Sequence, residues 1–472
     1  MDHTTDGKVT VSRRTALGMA ATSVAAFGLA ACGGSGDENP AVPDDAVTIA
    51  RDAYIFGYPL VLMDLTRVAA EAATPANRFQ HAVALPTPAQ RDVARLDRDT
   101  LRSTAWLDLR AEPMVLQVPA MDDRRFWLVQ LLDAWTNNAH NPSSDRPQAN
   151  SAAPPYTYVV TGPGWSGVLP GGLTQLPMPT PTVWLIARIQ LDGDDDLPVV
   201  RALQQELKLV PLSVWTNARE PRAAPPGGLS AAQPPSEQMA EMDARAFFDR
   251  MCAVMSTNPP APEDAPAMRH FATIGIRPGG KVHGLSDTEL TAAVETAQQQ
   301  IPVYIGARMV NEDGWLIDPE VGRYGTDYLL RAIIARIGVG AGPRENIFNP
   351  TLFASADARG SMGRFRLHFA PGRLPPADAF WSLTAYDADS RLVPNPAGIY
   401  SVGYQVPVVL NPDGSLDIAV QYGDPGPGVP AGNWLPIPDS GQFSLTLRLF
   451  SPNVEALQGH WQPPPLTPLR SS

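Results

Sequence analysis

The 472-residue sequence predicts an α+β multidomain fold: two antiparallel, jelly-roll-like β-sandwiches related by internal duplication, accompanied by two helical units. Three observations predict it. The first is a repeat. FWLVQLLDAWTNNAHNP at Phe126 to Pro142 shares its frame with FWSLTAYDADSRLVPNP at Phe380 to Pro396, so Phe126, Trp127, Asp133, Asn141 and Pro142 recur as Phe380, Trp381, Asp387, Asn395 and Pro396. Each is displaced by 254 positions (380 minus 126), the mark of a duplicated unit. The second is the succession of residue patterns: helical, strand-like, helical, strand-like. The third is the count of 50 prolines, about twice average usage, spread along the chain as suits many short strands joined by proline-bearing loops.

In chain order, residues 1–32 read as a signal peptide. Ser12, Arg13 and Arg14 precede a mildly apolar run, Ala16 to Ala31, that closes on Leu29, Ala30, Ala31 and Cys32. This is similar to a twin-arginine signal joined to a lipobox. The run is too short and too weakly apolar for a membrane-spanning helix, which needs about 20 strongly apolar residues. Cys32 is thus expected to carry lipid, with residues 33–43 as a flexible tether. Ala16 stands where twin-arginine signals carry a bulky apolar residue, so general secretory export stays open. The other cysteine, Cys252, has no disulfide partner in an exported chain and is expected to be buried.

Residues 44–94 predict a helical unit. Asp44 and Asp45 stand at its start, Ile49, Ala53, Phe56 and Leu60 recur at helical spacing, and Gly57 and Pro59 should kink or end the first helix. Residues 95–192 predict the first sandwich, with alternating runs at Ser103 to Leu109, Met114 to Val118, Phe126 to Asp133, Tyr156 to Val160 and Val183 to Leu191. Residues 193–348 predict the second helical unit: Leu197 to Leu207, Glu237 to Met255, a helix opened by the capping box of Ser286 and Glu289, and Asp327 to Ile337 ended by Gly338. The stripe Met239, Met242, Phe247, Cys252 and Met255 is core rather than a cofactor site. Residues 349–472 predict the second sandwich, through Thr351 to Ser355, Arg364 to Phe369, Phe380 to Asp387, Ser415 to Gln421 and Phe443 to Phe450.

Period-two alternation gives each repeat copy two faces. Trp127, Val129, Leu131 and Asp133 share one, expected to face the interior, and Phe126, Leu128, Gln130 and Leu132 the other. In the second copy the faces are Trp381, Leu383, Ala385 and Asp387 against Phe380, Ser382, Thr384 and Tyr386. The repeat extends further: Leu185, Ile186, Ala187, Arg188 and Ile189 match Leu445, Thr446, Leu447, Arg448 and Leu449 at a displacement of 260 (445 minus 185).

Several stretches together resemble a bacterial family, domain of unknown function 1254 followed by domain of unknown function 1214. The first part matches through AYIFGYPLVLMDLTR (Ala53 to Arg67), NRFQH (Asn77 to His81), DTLRSTAWLDL (Asp99 to Leu109) and VQLLDAWTNN (Val129 to Asn138). The second matches through AFWSLTAYD (Ala379 to Asp387), NWLPIP (Asn433 to Pro438) and FSLTLRLFSP (Phe443 to Pro452). Arg102 replaces the tyrosine the family usually has after Asp-Thr-Leu. The resemblance implies the two sandwiches and helical parts, and no activity, substrate or catalytic residue.

The formal charge of −12 argues against nucleic acid or an anionic lipid surface as partner. H-E-x-x-H, Cys-x-x-Cys and G-x-S-x-G are all missing from the sequence, and its seven histidines show no metal-ligand spacing, so no metal site is assigned and no cofactor is implied. Gly275 to Lys281 fits G-x-x-x-x-G-K, but Val282 follows in place of Ser or Thr and Pro278 interrupts the loop. It reads as a turn ending a helix.

The remaining polar concentration is Asp97, Asp99, Asp108, Asp133, Asn137, Asn138 and His140. A site on the rim of the first sandwich is expected to use Asp99, Asp133 and His140 as acid, base or cation ligand, with Asn137, Asn138 and Trp135 in binding. Turn-capping aspartates explain the same cluster without chemistry. Two functions follow: an exported, lipid-anchored cell-envelope protein that binds, and in a stronger form hydrolyses, a small molecule or glycan, or a non-catalytic envelope scaffold. Its membrane contact would be the lipid on Cys32.

Overall fold

Two sandwiches of two sheets each carry the duplication. The computed structural model describes residues 45–90, 94–122, 124–217, 233–303, 313–317, 321–358 and 362–469; the expected signal, tether and Cys32 lie outside them. In the first sandwich, one sheet runs in the order Gln80–His81, Thr100–Asp108, Thr182–Gln190, Trp127–Asp133, Asn138–His140, with antiparallel neighbours. The sheet facing it runs Thr174–Pro177, Tyr156–Thr161, Met114–Val118, Lys208–Pro211. The second sandwich repeats the plan. Its first sheet is Trp315–Leu316, Thr351–Ser355, Gln442–Pro452, Ala377–Asp387, Ser401–Val402, and its second is Trp434–Leu435, Leu416–Gln421, Arg364–Phe369, Leu466–Pro468.

Register confirms the repeat residue by residue. Trp127 lies opposite Ile189 and Asp133 opposite Val183, while Trp381 lies opposite Leu449 and Asp387 opposite Phe443. Each second sheet also holds one parallel pair, Tyr158 with Thr174 and Ala419 with Trp434, unlike the wholly antiparallel expectation. The loops Gly162 to Leu173 and Tyr422 to Asn433 supply the dozen or so residues that a parallel crossover needs.

Alternation fills each sandwich. Trp127, Val129 and Leu131 meet Leu116, Tyr158 and Val160 in one core, and Leu383, Ala385 and Leu447 meet Leu367, Ile418 and Val420 in the other. The opposite faces of the two first sheets turn toward each other. There the repeat mates Phe126 and Phe380 stand edge to face at 6.1 Å, and Phe126 meets Phe450 at 5.4 Å. The strands Lys208–Pro211 and Trp315–Leu316 belong to the sandwiches although both lie within 193–348, the stretch expected to be helical.

The helix Ala46–Glu71 continues through Gly57 and Pro59 and does not end there. Packing overrides the local preference, because residues from Ala53 to Met63 are buried on every side. Glycine at 57 gives the Met251 sulfur room, since a Cβ would overlap it and the methionine would have to shift. The helix is long and apolar enough to cross a membrane, but most of its apolar window is buried within the protein, packed by Ala244–Met255, Asp287–Val303 and Tyr328–Gly338. The expected helix Glu237 to Met255 is two helices, Pro235–Glu241 and Ala244–Met255, divided where Met242 is extended and the Asp243 carboxylate caps the Ala246 amide. Ser286 and Glu289 form the predicted capping box, and Cys252 is fully buried. Gly275, with φ of 84°, turns the chain after the helix Ala265–Ala272, as expected of the rejected phosphate-loop match.

Candidate functional site

The residues expected to form a rim site do not share one place. Asp133 sits at its strand end, where Oδ1 accepts from the Trp135 and Asn137 amides at 2.8 Å each and Oδ2 accepts from Asn137 Nδ2 at 3.0 Å. Asp387 does the same work in the second copy, accepting from the Asp389 and Arg391 amides. This is turn capping. Trp135 packs on Phe56 under the Arg331 guanidinium, and its Nε1 donates to the Asn258 carbonyl, so it belongs to the helical core. His140 pairs with the inward Leu131 and its Nε2 lies 2.8 Å from the Pro177 carbonyl of the second sheet; burial pushes its pKa down.

Asn138 pairs with Leu132 across a register shift, which turns it to the opposite face from His140. Its amide group is buried with no hydrogen-bond partner among the described residues and lies beside Gly342. Asp99 is 0 % exposed between the sandwiches, with Oδ2 accepting from Ser382 Oγ at 2.5 Å. The structure therefore corrects the expected constellation: Asp99, Asp133 and His140 do not converge, and the cavity described next is lined by none of them.

That cavity, about 160 Å³, lies between the two facing sheets. Trp184, Ile186 and Arg188 of the Thr182–Gln190 strand form one wall, and Thr446 and Arg448 of the Gln442–Pro452 strand form the other. Arg95 and Asp97 enter from the segment before the first long strand, and the chain from Gly338 to Asn349 closes a side. Glycine permits that closure: Gly340, with φ of 89°, lies against Trp184 and Ile186, and a Cβ at Gly342 would overlap the Gln130 amide.

Charge is concentrated here. Arg95 donates through Nε to the Ile337 carbonyl, Nη1 to Thr446 and Nη2 to Ser444, each at 3.0 Å. Arg448 donates to Thr384, to Tyr386 and to the Arg95 carbonyl. Arg188 donates to Gln130 Oε1 at 2.7 Å and stands 3.5 Å from Asp97 Oδ2. Burial lowers Arg95 to about 10, and lowers Arg188 to about 10 against the opposing pull of Asp97. Burial works to raise the Asp97 carboxyl, but Arg188 and Arg448 outweigh it and hold it below the ordinary range, while Asp99, raised by burial and by Asp97, reaches about 7. The guanidiniums of Arg188, Arg448 and Arg102 thus act on one carboxylate, that of Asp97.

Sequence reasoning singled out Asp97 but missed the arginines. Their signal was present, because Arg188 and Arg448 are repeat mates, one charge at the same place in two otherwise apolar strands.

Comparison with known proteins agrees with this architecture. A family model described as Protein of unknown function (DUF1254) matches residues 76–211, and a second, Protein of unknown function (DUF1214), matches residues 353–454. The crystal structure of the VPA0106 protein from Vibrio parahaemolyticus is similar in fold, with a TM-score of 0.63 at 20% identity, covering 90% of this chain and 100% of that one. An uncharacterized protein from Burkholderia cenocepacia aligns at 12% identity and a TM-score of 0.41, covering 86% and 94% of the two chains. The curated proteins hold no match. With one model matched in each sandwich, the chain belongs to the two-part family of unknown function that joins DUF1254 to DUF1214.

Proposed function

We propose that this is an exported, lipid-anchored cell-envelope protein that binds a small molecule between its two sandwiches. One observation carries the binding reading: a cavity with an apolar wall and convergent polar groups at the junction of two duplicated units, where ligand sites recur. Its volume is close to the roughly 150 Å³ of an engineered cavity that takes benzene, which favours a single-ring molecule over a glycan chain. Binding fits better than hydrolysis. Asp97, the carboxylate that lines the cavity, is already bonded to Thr100 and paired with Arg188, so it is a poor proton acceptor.

Export and anchoring rest on the Leu29 to Cys32 motif. Labelled fatty acid should enter the wild-type protein and not Cys32→Ala; equal labelling would overturn the anchor. Native mass spectrometry of protein purified from its own envelope tests binding. A small-molecule adduct is expected, absent in Ala341→Phe, which puts a ring into the cavity. A bare mass, together with a fragment screen showing no Ala341-dependent binding, would overturn the reading.

A further inference from the structure

Five arginines, Arg95, Arg102, Arg188, Arg344 and Arg448, line the cavity beside one carboxylate, Asp97, and the repeat sets two of them in contrast. Arg448 spends its guanidinium on Thr384, Tyr386 and the Arg95 carbonyl, and all three nitrogens of Arg95 donate to protein oxygens. Arg188, the mate of Arg448, differs: Nη1 bonds Gln130, Nε lies 3.5 Å from Asp97, and Nη2 has no acceptor among the described residues. The Arg188 side chain is 15% exposed, and an open donor on a guanidinium at the cavity suits an anionic acceptor. On the same cavity, the partly buried Ile337, Val339 and Ala341 supply apolar surface.

We propose that Arg188 receives the head of an apolar monocarboxylic acid of about single-ring size, whose body lies on the partly buried apolar lining of Ile337, Val339 and Ala341. The proposal rests on the binding reading above and names its ligand class. The planar guanidinium edge formed by Nη1 and Nη2 suits the two oxygens of a carboxylate. Asp97 beside Nε repels a second negative charge, which disfavours a phosphate dianion. The small volume and apolar wall call for a compact hydrophobic body, which neither a sugar nor a free inorganic ion supplies.

Titration calorimetry of the intact chain at neutral pH tests this with benzoate and hexanoate, their neutral counterparts benzyl alcohol and 1-hexanol, and inorganic phosphate. At least one carboxylate should bind roughly ten-fold or more tighter than its neutral counterpart, and phosphate should bind more weakly than that carboxylate. Arg188→Gln should weaken the carboxylate by at least about ten-fold, and Arg188→Lys, which keeps charge without the planar edge, should fall between. Equal affinity for acid and alcohol, phosphate binding as tightly as the acid, or a folded Arg188→Gln that binds the acid unchanged would each overturn the assignment. The acid-against-alcohol comparison on the wild-type chain decides the matter even if Arg188→Gln fails to fold. Should the panel fail while native mass spectrometry finds a neutral, Ala341-dependent adduct, this ligand class falls and the binding reading stands; with neither, both fall.

Discussion

Replacing Asp99 with asparagine should change how stability depends on pH. The carboxyl is fully buried between the sandwiches, Ser382 supplies its hydrogen bond, and Oδ1 has no partner among the described residues. Burial, then the neighbouring Asp97, raise its pKa from 3.8 to about 7. In the folded protein the group therefore keeps its proton up to about pH 7, whereas the unfolded chain releases it near pH 4. Between those values the folded state holds more protons, so stability falls as pH rises, and above about 7 the full penalty is present. The whole interval corresponds to about 4 kcal/mol, of which the part between pH 5 and pH 8 is about 3 kcal/mol. Asp99→Asn removes the titration. Urea unfolding of both proteins at several pH values from 5 to 8 should show the variant gaining about 3 kcal/mol on the wild type across that range, whatever its stability at pH 5. Parallel profiles would refute the reasoning, since they would mean that Asp99 ionises at the same pH folded and unfolded.

Phe126→Ala, which empties the contact with Phe380 and Phe450, should cost about 3–5 kcal/mol in urea unfolding; a loss below about 1 kcal/mol would show that the two sandwiches are not held there. Asp133→Ala should destabilise more than Asp387→Ala, because Asp133 accepts three turn hydrogen bonds and Asp387 two, and thermal unfolding of the pair reads the order directly. The Cys252 thiol, buried and raised in pKa by that burial, should resist a thiol reagent at pH 8 in native protein and react fully once urea unfolds the chain.

Most of the fold was legible because the repeat fixed strands in pairs. Met114–Val118, Thr351–Ser355 and Arg364–Phe369 coincide with their alternating runs, and the inward placing of Trp127 followed from period two alone. Lys208–Pro211 and Trp315–Leu316 were not legible: four and two residues give no periodicity, and only pairing with distant strands makes them sheet. Gly57 and Pro59 misled for a related reason, since burial by the surrounding helices outweighs their local preference. The site was obscured by the two faces of one strand. Asp133 and His140 looked adjacent in sequence, but the register shift beside Leu132 and the turn after Asp133 give them separate structural tasks. Of the five arginines that line the cavity, Arg95, Arg188 and Arg448 come from segments more than 90 positions apart, and only the packing of one sheet on another assembles them.

The contact of Phe126 with its own repeat mate Phe380 is the contact a two-fold homodimer would make on its axis, here written within one polypeptide. In a dimer of identical chains every residue has a twin with the same surroundings, so a change that opens one arginine opens both. Joining the halves lifts that constraint. Arg448 is free to become an internal brace, tied to Thr384 and Tyr386, while Arg188 keeps a donor unclaimed. Asymmetry of this kind allows a single occupant to be held in one orientation between two nearly equivalent walls, and it makes the direction of entry a property that evolution can tune in one half of the chain without disturbing the other.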